Sequence, residues 1–564
     1  MKKHITRLLF AALLLLALCI GASAAGTSGK CGPSAYWSFD SSTGTLTISG
    51  SGAMNDYEYG DYPWMDYRDS IQTIVIGDQI TQIGRYAFTG TACSTIKFGK
   101  NVRSIGERAF LECRNLNGDL TLPDSVQTIG AGAFQGCEKL SGDLTIPDSV
   151  VEIGEGAFRD CKNLNGTLTL GRNLRTIGKE AFSGCAFTGS LTIPEGVTEI
   201  ADSAFGAGIP LKKYGMFTGT LTLPSTLKTI GASAFSYADF SGELLIPDGV
   251  TSIGANAFEE CDGFGGTLSL PDSVKTVGEW AFYLCKGFTG LKLSAGLTKI
   301  EKLSFAHMYG LKTEVVIPEG VTEIGESAFQ CSHMPSVRFP STLKKIGKEA
   351  FYFSLNCKIA FPDGLEVIED EAFALCNVKS AVILPASIKS IGKKAFDSDW
   401  SYGKHNDIPL GAYFLGAAPQ LVGTGNANCS FPSDWTLNYL PGTSGWMGDT
   451  YEGYKIVPWD GETRWDNLYT DDFGYRDNKW NKIETSWSVN PDTGKITLTD
   501  DLNEGCVVAV SYDAEGRVTS IGVLRTKTDF VVLNLQDTCR LFLLNASSAP
   551  RLNTPVTIND YLPV

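Results

Sequence analysis

Two groups of side chains in this sequence have the types and spacing of a binding surface. The first is a row of threonines that recur in phase through the first half of the chain: Thr121, Thr145, Thr169, Thr192 and Thr222. The second is a group of tryptophans that lie among Gly, Asn, Asp and Tyr residues: Trp435, Trp446 and Trp459. A threonine row offers a flat face for docking, and exposed indole rings stack on the C–H faces of sugars. Both groups predict ligand binding.

Each group also has a purely structural interpretation. Threonine is favoured in strands by β-propensity alone, so an exposed threonine row forms without any ligand. Seven of the ten tryptophans fall between Trp400 and Trp487, and burying that much aromatic area at a domain end is favourable in itself. Ligand binding and a structural role therefore remain alternatives at both places.

The sequence contains none of the catalytic motifs for which we searched. The sequence contains no GxSxG elbow, no HExxH motif, no P-loop, and no Cys/His set with zinc spacing. With four histidines, one of them His4 near the N-terminus, little material is left for metal sites. We expect no catalytic residue, no metal and no cofactor, and therefore a protein that is not an enzyme.

The N-terminus has the pattern of an export signal. Lys2, Lys3 and Arg7 precede the apolar stretch Leu8–Ile20, and small residues at Ala22-Ser23-Ala24 suit cleavage. No later stretch reaches membrane-spanning length, and no Leu-Pro-x-Thr-Gly sorting motif is found. We predict a secreted or non-covalently surface-associated bacterial protein without a transmembrane segment in the mature chain.

The charge balance narrows the class of partner. The chain carries a formal net charge of −15, which disfavours nucleic acid and anionic membrane as partners. A composition of 43% hydrophobic and 19% charged residues is that of a packed protein. A protein or glycan outside the cell is the predicted partner, and the oligomeric state stays open.

An internal repeat positions the threonines. The stretch Ser125–Cys137, SVQTIGAGAFQGC, recurs as an aliphatic residue, two variable residues, Ile, usually Gly, and a closing Phe. Neighbouring copies are 22 to 24 residues apart except for one interval of 30, which predicts a stacked repeat array. The 14 closing phenylalanines are Phe88, Phe110, Phe134, Phe158, Phe182, Phe205, Phe235, Phe258, Phe282, Phe305, Phe329, Phe351, Phe373 and Phe396.

One repeat predicts one coil of a solenoid. Segments such as Leu120-Thr121-Leu122-Pro123 alternate apolar and polar residues, which predicts a short strand that ends at proline. The VxxI segment predicts a second extended run, and Ala-Phe predicts a short helical or 3₁₀ turn. One coil cannot bury its apolar side chains alone, so coils must stack in register.

The pattern LxLPxxVxxIGxxAFxxC resembles the BspA-type leucine-rich repeat. The resemblance covers Ile71 to about Asp399. It implies a β-rich leucine-rich-repeat solenoid, a horseshoe or rod of stacked parallel strands with little helix. It also implies an exported bacterial surface protein, with adhesion as the family's tendency.

The cysteines follow the same phase. Seven of the 15 lie three residues after a closing Phe: Cys113, Cys137, Cys161, Cys185, Cys261, Cys285 and Cys376. Stacking of ~4.8 Å between strands falls inside the Cα range of disulfides, but parallel side chains give poor geometry for the bond. We predict a buried ladder of free thiols.

Five segments make up the predicted domain organisation. They are a signal peptide (1–25), an N-terminal β cap (26–70), the repeats (71–399), a Trp-rich cap or linker (400–481) and a small β-sandwich (482–564). The predicted function is non-enzymatic adhesion to a protein or glycan through the repeats. The alternative is a carbohydrate-binding or carbohydrate-active module in the Trp-rich region, with the repeats as a spacer.

Overall fold

The computed structural model describes residues 27–206, 216–355, 359–376, 382–397, 411–422, 430–432 and 435–459, together with the backbone of strands between 487 and 557. The predicted export signal lies outside these residues. The chain divides into two compact units, Met1–Phe288 (unit 1) and Thr289–Val564 (unit 2). Both are built from short parallel strands, and the described residues contain one 3₁₀ turn, Met65–Tyr67.

Unit 1 begins with a hairpin. Ala35–Asp40 pairs antiparallel with Thr45–Gly50, because the turn between them brings alternating apolar residues onto one buried face. Thr45–Gly50 then pairs in parallel with Thr73–Ile76 of the first coil. In spatial order, the sheet contains Ser28–Lys30, Ala35–Asp40, Thr45–Gly50, Thr73–Ile76 and Thr95–Lys97.

The VxxI segments of unit 1 form the second face of each coil. Each strand is two to four residues long, and its Ile or Val points into the core. One sheet contains Gly52–Ala53, Ile80–Ile83, Ser104–Ile105, Thr128–Ile129, Glu152–Ile153 and Thr176–Ile177. A second contains Glu199–Ile200, Thr229–Ile230, Ser252–Ile253 and Thr276–Val277.

Glycine follows Ile in most copies because neighbouring coils approach closely at that point. A Cβ on Gly130 would lie 2.6 Å from the backbone nitrogen of Glu107 in the preceding coil. The Gly130 N–H donates to the Ile105 carbonyl at 2.8 Å, so the close approach is a backbone hydrogen bond. The glycine is thus needed for space at this position.

The Ala-Phe segment is where the sequence prediction was wrong in detail. It forms overlapping turns with left-handed residues two positions before Phe, which excludes the expected helical or 3₁₀ turn. Backbone N–H groups in this segment donate to the next coil, as Phe110 does to the Ala133 carbonyl at 2.8 Å. The non-glycine residues with positive φ at this position are Tyr86, Arg108, Glu180, Ser203, Ser233, Asn256, Trp280, Leu303, Ser327, Glu349, Glu371 and Lys394.

A ladder of stacked aromatic rings fills the core of unit 1. Consecutive closing phenylalanines from Phe88 to Phe282 lie with ring centroids 5.1 to 5.6 Å apart. Trp64 takes the same place in the N-terminal segment, where it is fully buried and stacks on Phe88 at 5.4 Å. A second stack joins Phe187, Phe217, Phe240, Phe264 and Phe288.

The predicted cysteine ladder is present, and its members are free thiols. Each buried thiol donates to the carbonyl of the closing Phe in the preceding coil, as Cys137 Sγ does to Phe110 at 3.2 Å and Cys161 Sγ to Phe134 at 3.1 Å. Burial raises the pKa of the Cys137 and Cys161 thiols. The ladder therefore consists of neutral S–H donors.

Unit 2 repeats this coil. In spatial order, its VxxI sheet contains Lys299–Ile300, Glu323–Ile324, Lys345–Ile346, Val367–Ile368, Ser390–Ile391 and Gln420–Leu421. Val315–Val316 pairs in parallel with Val337–Arg338. The remaining solenoid strands are Gly290–Lys292, Val382–Leu384, Gly411–Phe414, Thr436–Tyr439, Tyr454–Pro458 and the antiparallel Thr450–Tyr451.

The aromatic ladder of unit 2 extends past the last predicted copy. Rings from Phe305 to Phe396 stack at 5.3 to 5.7 Å, and Phe431 stacks on Phe396 at 5.2 Å. The Phe396 N–H donates to the Ser430 carbonyl at 3.0 Å, as closing Phe residues do in earlier coils. One further coil therefore follows Phe396, although the spacing from Phe396 to Phe431, 35 residues, departs from the sequence period.

The C-terminal strands form two sheets. Trp487–Asn490, Lys495–Leu498 and Phe530–Val532 make one antiparallel sheet. Val518–Leu524, Cys506–Tyr512, Thr538–Leu544 and Val556–Thr557 make the other. Two antiparallel sheets are the arrangement that a small β-sandwich requires.

Candidate functional site

The threonine row lies on the first strands of unit 1, with all five side chains exposed. Thr145 is the register partner of Thr169, and Thr192 is the partner of Thr222, so each pair lies side by side on parallel strands. Thr121 lies in a segment outside the strands. The residues on both sides of Thr121, Thr145 and Thr192 are buried, as Leu144 and Ile146 are, and this fixes the outward direction of the threonine. Thr169 and Thr222 each follow a buried leucine and precede a half-buried one.

The hydroxyls of this row are not used within the fold. None of the five accepts or donates a side-chain hydrogen bond among the residues that the structure describes. Two residues earlier the outward positions are linked to each other, since Thr167 Oγ1 donates to Asp143 Oδ1 at 2.9 Å and the Thr220 N–H donates to Ser190 Oγ at 2.9 Å. The row therefore offers unused hydroxyls beside a fixed polar border.

Uncharged residues occupy the same outward strand position in the later coils of unit 1. Leu245 occupies the same strand position and is 72% exposed. Its register partner is Ser269, which is also exposed. A large exposed leucine in line with hydroxyl groups has no role in the core, so the row is suited to contact with another molecule.

The predicted tryptophan site does not have the exposed rings that sugar stacking requires. Trp435 is 5% exposed and stacks on Phe431 at 5.6 Å. Trp446 is 8% exposed, stacks on Tyr439 at 5.3 Å and donates from Nε1 to the Gly416 carbonyl at 3.2 Å. Both side chains are packed against the last coil, as the structural interpretation of these tryptophans predicts, and ligand binding by them stays a prediction.

Trp459 is different because it is half-buried. Its ring meets Tyr413 edge-on at 5.6 Å. These three tryptophans are therefore not brought together as one open surface. The other tryptophan side chains of the Trp-rich region, those of Trp400, Trp465, Trp480 and Trp487, lie outside the described residues.

A surface that the sequence analysis missed lies on unit 2. His307, Tyr309, His333 and Phe353 form a continuous aromatic strip across successive coils. Their ring centroids are separated by 5.5, 5.4 and 5.1 Å, each pair meeting edge to face. His307 and Phe353 lie two residues after a closing Phe, and Tyr309 and His333 lie four residues after one. The strip therefore follows the solenoid repeat.

The strip is held in place and still open to solvent. His307 Nδ1 lies 2.5 Å from Tyr309 Oη, and the backbone N–H of His307 donates to the Gln330 carbonyl. Tyr309 is 41% exposed, His333 is exposed, and His307 and Phe353 are half-buried. Recurrent spacing from the closing Phe was the sequence signal for this surface, but it requires comparing the outward positions coil by coil.

Metal chemistry receives no support from the described residues, which contain no cluster of three or more His, Cys, Asp or Glu side chains able to hold an ion. In that same part of the chain, no helix is both long and apolar enough to cross a membrane.

Comparison with known proteins gives one family match. Five overlapping stretches match the family described as BspA type leucine rich repeat region (6 copies): residues 64–142, 118–218, 141–262, 214–330 and 287–402. Together they span more than half of the 564-residue chain. No curated protein matches the chain.

Solved structures of leucine-rich repeat proteins are also similar. A leucine-rich repeat protein from Bacteroides ovatus is 22% identical, with 67% of this chain and 93% of that one covered and a TM-score of 0.45. One from Eubacterium ventriosum is 22% identical, with 67% and 96% covered and a TM-score of 0.39. A leucine rich cell surface protein from Faecalibacterium prausnitzii is 28% identical, with 56% and 89% covered and a TM-score of 0.36.

Proposed function

The chain belongs to the BspA-type leucine-rich repeat family, and from this premise we propose that it is an exported, non-enzymatic binding protein of the bacterial surface. Its solenoid holds a protein or glycan partner outside the cell. It is secreted or retained at the surface without a covalent link. Repeat proteins bind through extended arrays of outward side chains, and this family is built from such arrays.

The observation that carries the proposal is the threonine row of unit 1. Thr145, Thr169, Thr192 and Thr222 are exposed on paired parallel strands, and their hydroxyls have no partner among the described residues. The rigid strands have already fixed the backbone, so a ligand that docks there orders few further groups. A row of donors and acceptors binds collectively, because each hydroxyl both donates and accepts.

The alternative function, a carbohydrate-binding or carbohydrate-active module in the Trp-rich region, is less well supported. Burial of Trp435 and Trp446 removes their ring faces from solvent. The threonine row has no such obstacle, so it is the preferred contact surface.

Binding by the mature chain, residues 26–564, tests the proposal. We expect capture of at least one member of a panel of extracellular matrix proteins and glycans. The double variant Thr145→Lys, Thr192→Lys should bind at least about tenfold more weakly, because an unpaired charge in a contact must be desolvated. The matched control is Thr176→Lys, Thr276→Lys, which changes exposed threonines on the VxxI strands of the same unit.

Loss of binding in the first variant with retention in the control would support the threonine row as the contact. Equal binding by both variants would remove the row from the contact. Failure of the mature chain to bind any member of the panel would count against adhesion as the function.

A further inference from the structure

We propose that the aromatic strip of unit 2, His307, Tyr309, His333 and Phe353, is a second binding site, and that it takes a neutral glycan chain by stacking against sugar rings. The site differs from the threonine row in unit, in residues and in chemistry. It is therefore an addition to the binding function proposed above, and it stands or falls separately.

Two rings of the aromatic strip are exposed to solvent. Tyr309 retains 41% of its surface in solvent and His333 is exposed, although edge-to-face contacts join both to neighbouring rings. The closing phenylalanines of the same coils, such as Phe305 and Phe329, are by contrast completely buried. Two exposed rings joined to two half-buried rings make a continuous aromatic surface, and such surfaces mark interaction sites.

Hydrogen bonds hold the aromatic strip in place before any ligand binds. The backbone N–H of Phe353 donates to the Ala374 carbonyl at 2.9 Å, and that of His307 to the Gln330 carbonyl at 2.6 Å. The contact of 2.5 Å between His307 Nδ1 and Tyr309 Oη fixes two rings relative to each other. Binding to a pre-ordered surface costs little side-chain entropy, so shallow stacking contacts suffice for affinity.

The backbone of the aromatic strip favours a sugar over a peptide strand as the ligand. A peptide strand cannot pair with this part of the backbone, because the N–H groups of His307, Cys331 and Phe353 are already donated to the next coil. Sugar rings need no backbone partner, since their C–H faces lie on aromatic rings and their hydroxyls bind polar side chains. Gln330, whose carbonyl accepts the His307 N–H, donates from Nε2 to Glu349 Oε2 at 3.1 Å, and this amide–carboxylate pair suits sugar hydroxyls.

The charge of the protein favours a neutral ligand. The chain has a formal net charge of −15, which repels acidic polysaccharides and nucleic acids. In the coils that carry the strip, Lys302 pairs with Glu326 at 3.0 Å and Lys348 with Glu349 at 3.1 Å, so these cations are compensated. A neutral glycan meets no electrostatic penalty at such a surface.

Affinity electrophoresis of the mature chain in gels that contain soluble starch, xylan, mannan or mixed-linkage β-glucan tests the proposal. We expect at least one of these neutral polysaccharides to retard the protein. The variant Tyr309→Ala, His333→Ala should bind about tenfold more weakly or worse, because two stacking rings are lost. Tyr309→Phe keeps the stacking face and loses only the contact of the hydroxyl with His307 Nδ1, so it should bind more weakly than the unaltered chain and more tightly than Tyr309→Ala, His333→Ala.

The matched control is Tyr36→Ala, Tyr59→Ala, which removes two tyrosines that are 45% and 67% exposed on unit 1. Circular dichroism and the thermal midpoint verify that each variant is folded. Retention of polysaccharide binding by the control and by Thr145→Lys, Thr192→Lys would support a separate site on unit 2.

Two outcomes would overturn the proposal. One is that no neutral polysaccharide retards the mature chain. The other is that Tyr309→Ala, His333→Ala binds polysaccharide as well as the unaltered chain. If that variant instead loses binding only to a matrix protein, the strip is a protein contact and the assignment to a glycan is wrong.

Discussion

The same two outward positions of the coil hold different chemistry in the two units. Two and four residues after the closing Phe, unit 1 carries ion pairs: Glu112 with Arg114 at 3.6 Å, Glu138 with Lys162 at 3.4 Å, and Asp262 with Lys286 at 2.7 Å. Unit 2 carries the aromatic strip at these positions. The backbone is alike in both, so the outward rows vary without altering the fold.

The inward positions change much less. The closing Phe stacks in both units at almost the same spacing. Three residues later, unit 1 has thiols that donate to the preceding Phe carbonyl. In unit 2, Ser332 donates to the Phe305 carbonyl at 2.7 Å and Ser354 to that of Phe329, whereas Cys376 is a thiol that donates to the Phe351 carbonyl. A position that satisfies a buried carbonyl therefore accepts either donor, whereas a position that faces solvent is free to acquire a function.

The largest effect that we expect from this difference is alkaline destabilisation of unit 1. Burial raises the pKa of the thiols of Cys137, Cys161 and Cys185. The folded state thus keeps its protons while the unfolded state loses them above about pH 8.5, so stability is intact below that pH and falls as pH rises. The loss is about 1.4 kcal/mol per thiol at one pH unit above the unfolded pKa.

Urea unfolding followed by pulse proteolysis, under reducing conditions at pH 7.5 and 9.5, measures this loss for fragments of each unit. Cys137→Ser, Cys161→Ser is the control, because serine keeps the hydrogen bond and does not titrate in this range. Unit 2 should lose less, since Ser332 and Ser354 occupy two of the equivalent positions and Cys376 is the one ladder thiol among its described residues. Equal alkaline loss in the control variant would show that other groups cause it.

Removing a ring from the core ladder should have the next largest effect, and it should be alike in the two units. Phe158 and Phe351 are fully buried, and each stacks between two neighbouring rings. Phe158→Ala and Phe351→Ala should each lower the free energy of unfolding by about 3 to 5 kcal/mol, through lost burial and a cavity. Denaturant titration measures both.

Phe353→Ala is the control for the second unit, because this ring is half-buried in the aromatic strip two residues after Phe351. It should cost less than about half as much as Phe351→Ala, since less apolar surface leaves water on folding. A loss as large as that of Phe351→Ala would make the strip part of the core and weaken its assignment as a binding surface.

Sequence periodicity predicted the solenoid, its register and the thiol ladder because these depend on inward residues, which one coil repeats from the last. It failed where the backbone is unusual. Twelve non-glycine residues adopt positive φ two positions before Phe, and their types, from Trp280 to Lys394, carry no common signal for that conformation. Inter-coil hydrogen bonds impose the left-handed backbone there, and such bonds are tertiary.

The candidate sites divide in the same way. Alternation in the strand predicted the outward direction of Thr145 and Thr192, since burial of the flanking residues fixes it. Trp446 is buried against Tyr439, which is near in sequence, and against Phe414, which is distant in sequence and reaches it as the strand partner of Tyr439. The aromatic strip joins three coils, so its members are neighbours only after stacking.

Exchanging the donor in the buried ladder should have a smaller effect. Cys137→Ser and Ser332→Cys should each change stability by less than about 1 kcal/mol, because the hydrogen bond to the preceding Phe carbonyl is kept. Cys137→Ala and Ser332→Ala should each cost roughly 1 to 2 kcal/mol, because that bond is lost in a buried place. Denaturant titration under reducing conditions compares the four variants.

If Cys137→Ala were as stable as Cys137→Ser, the side chains of the buried ladder would stabilise the fold only by filling space, and their hydrogen bonds would contribute nothing. The carbonyl of Phe110 also accepts the Cys113 backbone N–H at 3.2 Å, so the alanine variant leaves it with one partner. A moderate cost, well below that of a wholly unsatisfied carbonyl, is therefore the specific expectation.

The smallest effect should come from the ion pairs of unit 1. Lys162 and Glu138 are each nearly half exposed, so their attraction is screened by water and salt. Lys162→Gln should change the free energy of unfolding by less than about 1 kcal/mol, with the difference vanishing at about 1 M salt. Lys162→Gln should not change polysaccharide binding at all. Loss of Tyr309 and His333, at the corresponding positions of unit 2, should abolish polysaccharide binding and leave the free energy of unfolding intact. A stability loss for Lys162→Gln that persists in high salt would mean that the outward row of unit 1 is structural, and the freedom of these positions to acquire function would then be confined to unit 2.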